Sequence, residues 1–312
     1  MPLENARRRY KRGRWNIQKT LLAAAVIATA STGVMLLVIN KDHSLRTYKN
    51  LTRLWNNGAY SEVYSESGKL LENKPLDFFL LSMRGYAAYY MAMAQINAQD
   101  IQKYADECIA SLRKALLNKR GERSGRICYV LGKAYFLKGR DYANLSIKYL
   151  ENALLFSYRA EDIPEYLGLV YAEIHEYWKS IAAFSEALIP ADGETAPSDT
   201  LLLAIARSYM ELNEDDGARA YLLQCLEVSR DFSVITTARL LLGRILMKKG
   251  DVAGAEQQFL SILKEGGEQA DAHYELGVLY AGRGDTIKAR AEWRKALRLD
   301  PAYASAIARL SM

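Results

Sequence analysis

Cysteine and proline are scarce, at three and six residues in a chain of 312. So few cysteines exclude a small secreted scaffold held together by disulfides. The 20 glycines follow no collagen period, and an apolar share of 50% excludes a disordered chain. The three histidines, His43, His175 and His273, are too scattered for a zinc site. Glu173-Ile174-His175-Glu176 lacks the second histidine of a zinc-protease helix, and Gly266-Gly267 is not followed by the pattern of a nucleotide loop. With no cluster of His, Cys, Asp or Glu at catalytic spacing, the chain is expected to be no enzyme and to carry no cofactor or metal.

Net charge is missing from the body of the chain. The formal +6 resides in residues 1–20, where Arg7, Arg8, Arg9, Lys11, Arg12, Arg14 and Lys19 face the single Glu4. Residues 21–40 are uncharged, and residues 41–312 balance 35 cations against 35 anions. A neutral body gives no basic surface for nucleic acid, so no nucleic-acid partner is expected.

What is there begins with a run of 19 uncharged residues, Leu21 to Ile39, LLAAAVIATASTGVMLLVI. At 1.5 Å per helical residue this matches a hydrocarbon core of ~30 Å. The expectation is a transmembrane helix over 21–40, with the basic tail 1–20 in the cytoplasm and residues 41–312 on the far side, the periplasm of a bacterial inner membrane. A cleaved signal peptide is the alternative, since Ala28-Thr29-Ala30 resembles a cleavage site; against it, the apolar run continues through Val34–Ile39.

The rest is governed by a repeat. Counting Ala270 as position 1, Leu276, Gly277, Tyr280, Ala289, Trp293, Ala296 and Pro301 fall at 7, 8, 11, 20, 24, 27 and 32. Thirty-four residues earlier stand Leu242, Gly243, Leu246, Ala255, Phe259 and Ile262 in the same places. This pattern resembles the tetratricopeptide repeat (TPR) signature, and looser copies give seven starts, near 44, 78, 125, 161, 199, 236 and 270. Apolar residues at i, i+3, i+4 and i+7 make each helix one-sided, and small residues at positions 8 and 20 let paired helices approach. The expected fold is all-α, a right-handed solenoid of about seven helix-turn-helix repeats after the N-terminal transmembrane helix. Breaks are expected at an insertion around Asn97–Tyr104 or at the loop Pro190–Asp199. Cys108, Cys128 and Cys225 fall at core-facing positions 20, 4 and 27 and read as buried thiols.

The resemblance implies a non-enzymatic scaffold that binds other proteins in a concave groove. In TPR proteins the groove is lined from positions 2, 5, 9, 12 and 13 of each first helix. Those positions here supply Tyr48, Trp55, Phe79, Tyr86, Tyr89, Tyr90, Arg126, Tyr129, Lys133, Phe136, Arg207, Arg244 and Lys248. The carboxylate clamp of chaperone-binding members is absent, because position 9 is Tyr86, Lys133 or Leu169 where the clamp has asparagine. A role in an envelope machine is expected, such as a flagellar motor, a secretion system or outer-membrane assembly. Alternatives are a regulatory subunit of a peptidoglycan-acting enzyme and a mitochondrial outer-membrane import receptor. Association into a homo- or hetero-oligomer stays open.

Overall fold

The structure, a computed structural model, describes residues 47–118, 124–188, 197–266 and 268–311, and all regular structure among them is helical. The described residues fall into two compact units that meet in sequence between Asn118 and Lys119.

The first unit holds α1 (47–56), α2 (Tyr60–Asn73), α3 (Phe78–Met93) and α4 (Ala98–Leu116). Asp77 and Asn97 cap α3 and α4, each side chain accepting a backbone N–H of the first turn. The stretch expected as an inserted loop around 97–104 is instead the first part of α4. Its Asn97 cap and first-turn Asp100 are N-terminal helix signals, so the extra residues lengthen the helix.

The second unit holds α5 (Gly125–Leu137), α6 (Ala143–Leu155), α7 (Ile163–Glu173), α8 (Tyr177–Ala187), α9 (Asp199–Glu211) and α10 (Asp215–Val228). It continues through α11 (Phe232–Lys248), α12 (Val252–Gly266), α13 (Ala270–Gly282), α14 (Thr286–Leu299) and a short closing helix α15 (Ala304–Ser311). Each helix packs on its neighbours in sequence, so odd and even members alternate as first and second helices of TPR-like pairs. Among its described residues this unit is an all-α solenoid of successive helix pairs without strands.

Position 8 shows why the pairs form. A Cβ at Gly168 would stand 2.5 Å from Phe184 Cδ1, and one at Gly132 would stand 2.6 Å from Leu150 Cγ. Both meet the position-24 residue of their own pair, and Gly243 and Gly277 meet Phe259 and Trp293 in the same way. Opposite them, position 20 is fully buried as Ser146, Ser180, Ala218, Ala255 or Ala289. The two serines donate to the carbonyls of Gly132 and Gly168 at 2.8 and 2.9 Å, which satisfies hydroxyls that packing has removed from water. Position 15 is left-handed as Gly58, Gly139, His175, Asn213, Gly250 and Gly284. In five of these turns, all but that at Gly139, the following N–H bonds back five residues, as Asp251 to Leu246 and Asp285 to Tyr280, closing the first helix. The three cysteines are free and buried, and burial pushes the Cys128 and Cys225 thiols up to about 11.

One expectation is corrected here. Among the described residues no helix is long and apolar enough to cross a membrane, and the segment 21–40 and the basic tail 1–20 lie outside them. A single-pass inner-membrane location with a periplasmic domain therefore has no spanning element in the structure to rest on.

Candidate functional site

In the first helix of each pair, positions 2, 5, 9, 12 and 13 fall on one face by helical period. In the second unit α5 touches α7, α9 touches α11 and α11 touches α13, whereas α7 and α9 approach less closely. The connection between Ala187 and Asp199 is the longest between consecutive helices of this unit. A longer connection leaves the following pair free to pack at a greater separation.

At this wider step lies a recess of about 550 Å³. Helix α7 contributes Glu165, Leu169 and Ala172, which are repeat positions 5, 9 and 12. Helix α9 contributes Thr200, Leu203, Arg207 and Glu211, which are positions 2, 5, 9 and 13. Phe184, Leu201 and Ala204 add further apolar wall. The recess is thus an apolar pocket with few polar groups, the usual character of a binding cleft.

The polar rim is ordered by a turn. His175 takes a φ of 64° at the end of α7, and its Nδ1 lies 2.6 Å from the Tyr177 hydroxyl. That hydroxyl donates to Glu211 Oε2 at 3.3 Å, so Glu211 is engaged from within the protein. Burial and the Glu211 carboxylate both raise the Tyr177 phenol, which stays a donor at neutral pH.

Position 9 carries a cation in three first helices of this unit, and the three differ. Lys133 on α5 is 9% exposed; its ammonium meets Asp162 Oδ2 at 2.8 Å and the Tyr129 hydroxyl at 3.0 Å. Tyr129 in turn donates to Asp162, and burial with this carboxylate pushes its phenol up to about 12 against the pull of Lys133. Arg244 on α11 donates through Nε to Glu275 at 2.7 Å, a carboxylate on α13 only 4% exposed. Arg207 on α9 is exposed and has no hydrogen bond or ion pair among the described residues. Asp162 is position 2 and Glu275 position 6 of the following repeat. For Arg207 those two places are Thr237 and Leu241, and neither can neutralise a guanidinium.

The other residues singled out by repeat position are dispersed. Lys248 pairs with Asp215 at 2.8 Å, Arg126 is exposed at the start of α5, and Phe136 packs edge-on against Tyr166 at 5.4 Å. The remaining six lie in the first unit. Tyr48 donates to Asp77 at 2.5 Å and packs on Phe79. Trp55 contacts Tyr60, Tyr86 and Tyr90, and Tyr60 stacks on Tyr90 at 4.3 Å. Tyr86 and Tyr89 are buried at 8% and 7%, while Tyr90 is exposed. Glu165, Leu169, Ala172, Thr200, Leu203 and Glu211 obey the same position rule; a reading that favours aromatic and cationic side chains passes over them. Among the described residues no group of three or more His, Cys, Asp or Glu could hold a metal ion.

A family model described as tetratricopeptide repeat matches residues 203–270 and 240–304. No curated protein matches the chain. Among solved structures it is similar to the C-terminal part of a TPR repeat-containing protein from Cytophaga hutchinsonii, at 18% identity and a TM-score of 0.62, covering 85% of this chain and 100% of that one. It is also similar to PilF of Pseudomonas aeruginosa, at 16% identity and a TM-score of 0.51 over 73% of this chain and 96% of that one. A tetratricopeptide repeat protein from Parabacteroides merdae matches at 14% identity and a TM-score of 0.51, over 85% and 98% of the two chains. Identities this low establish a shared fold. Residues 203–304 match the tetratricopeptide repeat model, and the helix pairs and close glycine contacts described above follow the same arrangement.

Proposed function

We propose that this chain is a binding scaffold, without catalysis of its own, whose recess between α7 and α9 receives a segment of a partner protein. The observation that carries the reading is the recess itself, apolar-walled and built from the repeat positions that face a ligand in this family. On this reading Arg126 and Phe136 on α5 and Lys248 on α11 extend the contact along the same face, while Tyr129 and Arg244 serve the internal pairs with Asp162 and Glu275. Tyr48, Trp55, Phe79, Tyr86 and Tyr89 hold the first unit together, and Tyr90 gives that unit a small exposed aromatic surface of its own.

Selection of displayed random 12-residue peptides on the full chain tests this. Recovered peptides should bind wild type and lose about tenfold or more on Ala172→Phe, which fills the recess from a half-exposed helix position. Circular dichroism should show that variant folded. Recovery of no peptide, or of peptides that bind Ala172→Phe as well as wild type, would move the function away from this recess.

A further inference from the structure

We infer that the recess selects a segment carrying one acidic side chain beside a bulky aliphatic or aromatic one. The inference rests on the binding role just proposed and names the chemistry of the partner.

Its ground is the contrast among cations at one repeat position. Lys133 and Arg244 are answered by carboxylates of the next repeat, Asp162 and Glu275. Arg207 meets Thr237 and Leu241 at the corresponding places and forms no ion pair among the described residues, although it lines the apolar-walled recess. A guanidinium at the edge of an apolar wall offers a forked donor pair to a carboxylate, and the low-dielectric wall strengthens that contact. Leu169, Ala172, Leu203 and Phe184 give the neighbouring side chain of the same segment an apolar seat.

The anions of the recess limit the motif to a single acid. Glu211 already accepts from Tyr177, but Glu165 has no partner among the described residues and stands on the opposite helix. A second acid reaching toward α7 would meet Glu165 and be repelled, so an acidic run is disfavoured while one acid facing α9 is accepted.

The same 12-residue peptide library is the probe, selected in parallel on wild type and on Arg207→Glu. Wild type should enrich Asp or Glu adjacent to Leu, Ile, Met or Phe, and the best such peptide should bind Arg207→Glu about tenfold or more weakly. Replacing its acid by Lys should reverse the preference, with Arg207→Glu now binding better than wild type. That reversal requires a folded groove in the variant, so it separates charge readout from unfolding. Peptides that lose affinity on Ala172→Phe but lack the acid, or bind Arg207→Glu unchanged, overturn this inference and leave the binding role standing. Peptides indifferent to Ala172→Phe overturn both.

Discussion

The step from α11 to α13 and the step from α7 to α9 are built from the same repeat, yet one is closed and the other open. At the closed step Arg244 reaches the next first helix and finds Glu275, a carboxylate almost sealed from water. The α7–α9 step instead opens a recess with Leu169 at position 9 on one wall, and Arg207, at position 9 on the other wall, finds no acid on α11, the next first helix. The difference teaches that repeat position alone does not mark a binding residue. An inward-facing charge is a structural part when the next repeat neutralises it, and is available to a partner when the next repeat does not.

The contrast predicts unequal costs for removing charges at equivalent places. The largest belongs to Asp162→Ala, which leaves the nearly buried Lys133 ammonium and the Tyr129 hydroxyl without their acceptor. Loss of one partner from a fully buried pair costs about 3–5 kcal/mol, and partial exposure of Asp162 reduces this to about 2 kcal/mol in denaturant unfolding. Arg244→Ala should cost about 1–2 kcal/mol, because Glu275 loses its cation while the exposed side of Arg244 was already hydrated.

Acid should loosen the closed C-terminal steps before the open one. Burial pushes the Glu292 carboxyl up, but hydrogen bonds from Lys295 and His273 outweigh it and hold the group below its usual 4.5. Glu256 is likewise held low, hydrogen bonds from Tyr280 and Arg283 overcoming burial. A carboxyl lower in the folded than in the unfolded chain contributes stability above its unfolded value and loses it as pH falls through the folded value. Hydrogen exchange across α12–α14 should therefore accelerate as pH drops below about 4.5, once corrected for the intrinsic rate, while α7–α9 changes less. The smallest effect is expected at Arg207→Ala, within about 0.5 kcal/mol of wild-type stability, since the side chain is exposed and holds nothing inside the protein.

Much of the fold was legible because the repeat writes its packing into single residues. Gly132, Gly168, Gly243 and Gly277 stand where a second helix leaves no room for Cβ, and Gly250 and Gly284 stand where the turn needs positive φ. His175 and Asn213 occupy the same turn position without announcing it, because their left-handed conformation is imposed by the helix pairs on either side. The back-bonding of Ser146 and Ser180 to the facing glycine carbonyls was equally silent, since it depends on helix separation and not on local pattern. The recess was half legible. Its positions follow from the repeat count, but the spacing of α7 from α9 and the pairing state of each cation are tertiary properties. Among Lys133, Arg207, Arg244 and Lys248, sequence spacing could not tell the three that are paired from the one that is not.

Affinity of a selected acidic peptide for Thr237→Asp tests the central claim most directly. This change places a carboxylate at position 2 of the repeat after Arg207, the place from which Asp162 answers Lys133. If Arg207 binds because no internal acid neutralises it, the new carboxylate should claim the guanidinium and weaken the peptide about tenfold in a protein that remains folded. Unchanged affinity in a folded Thr237→Asp protein would contradict the account.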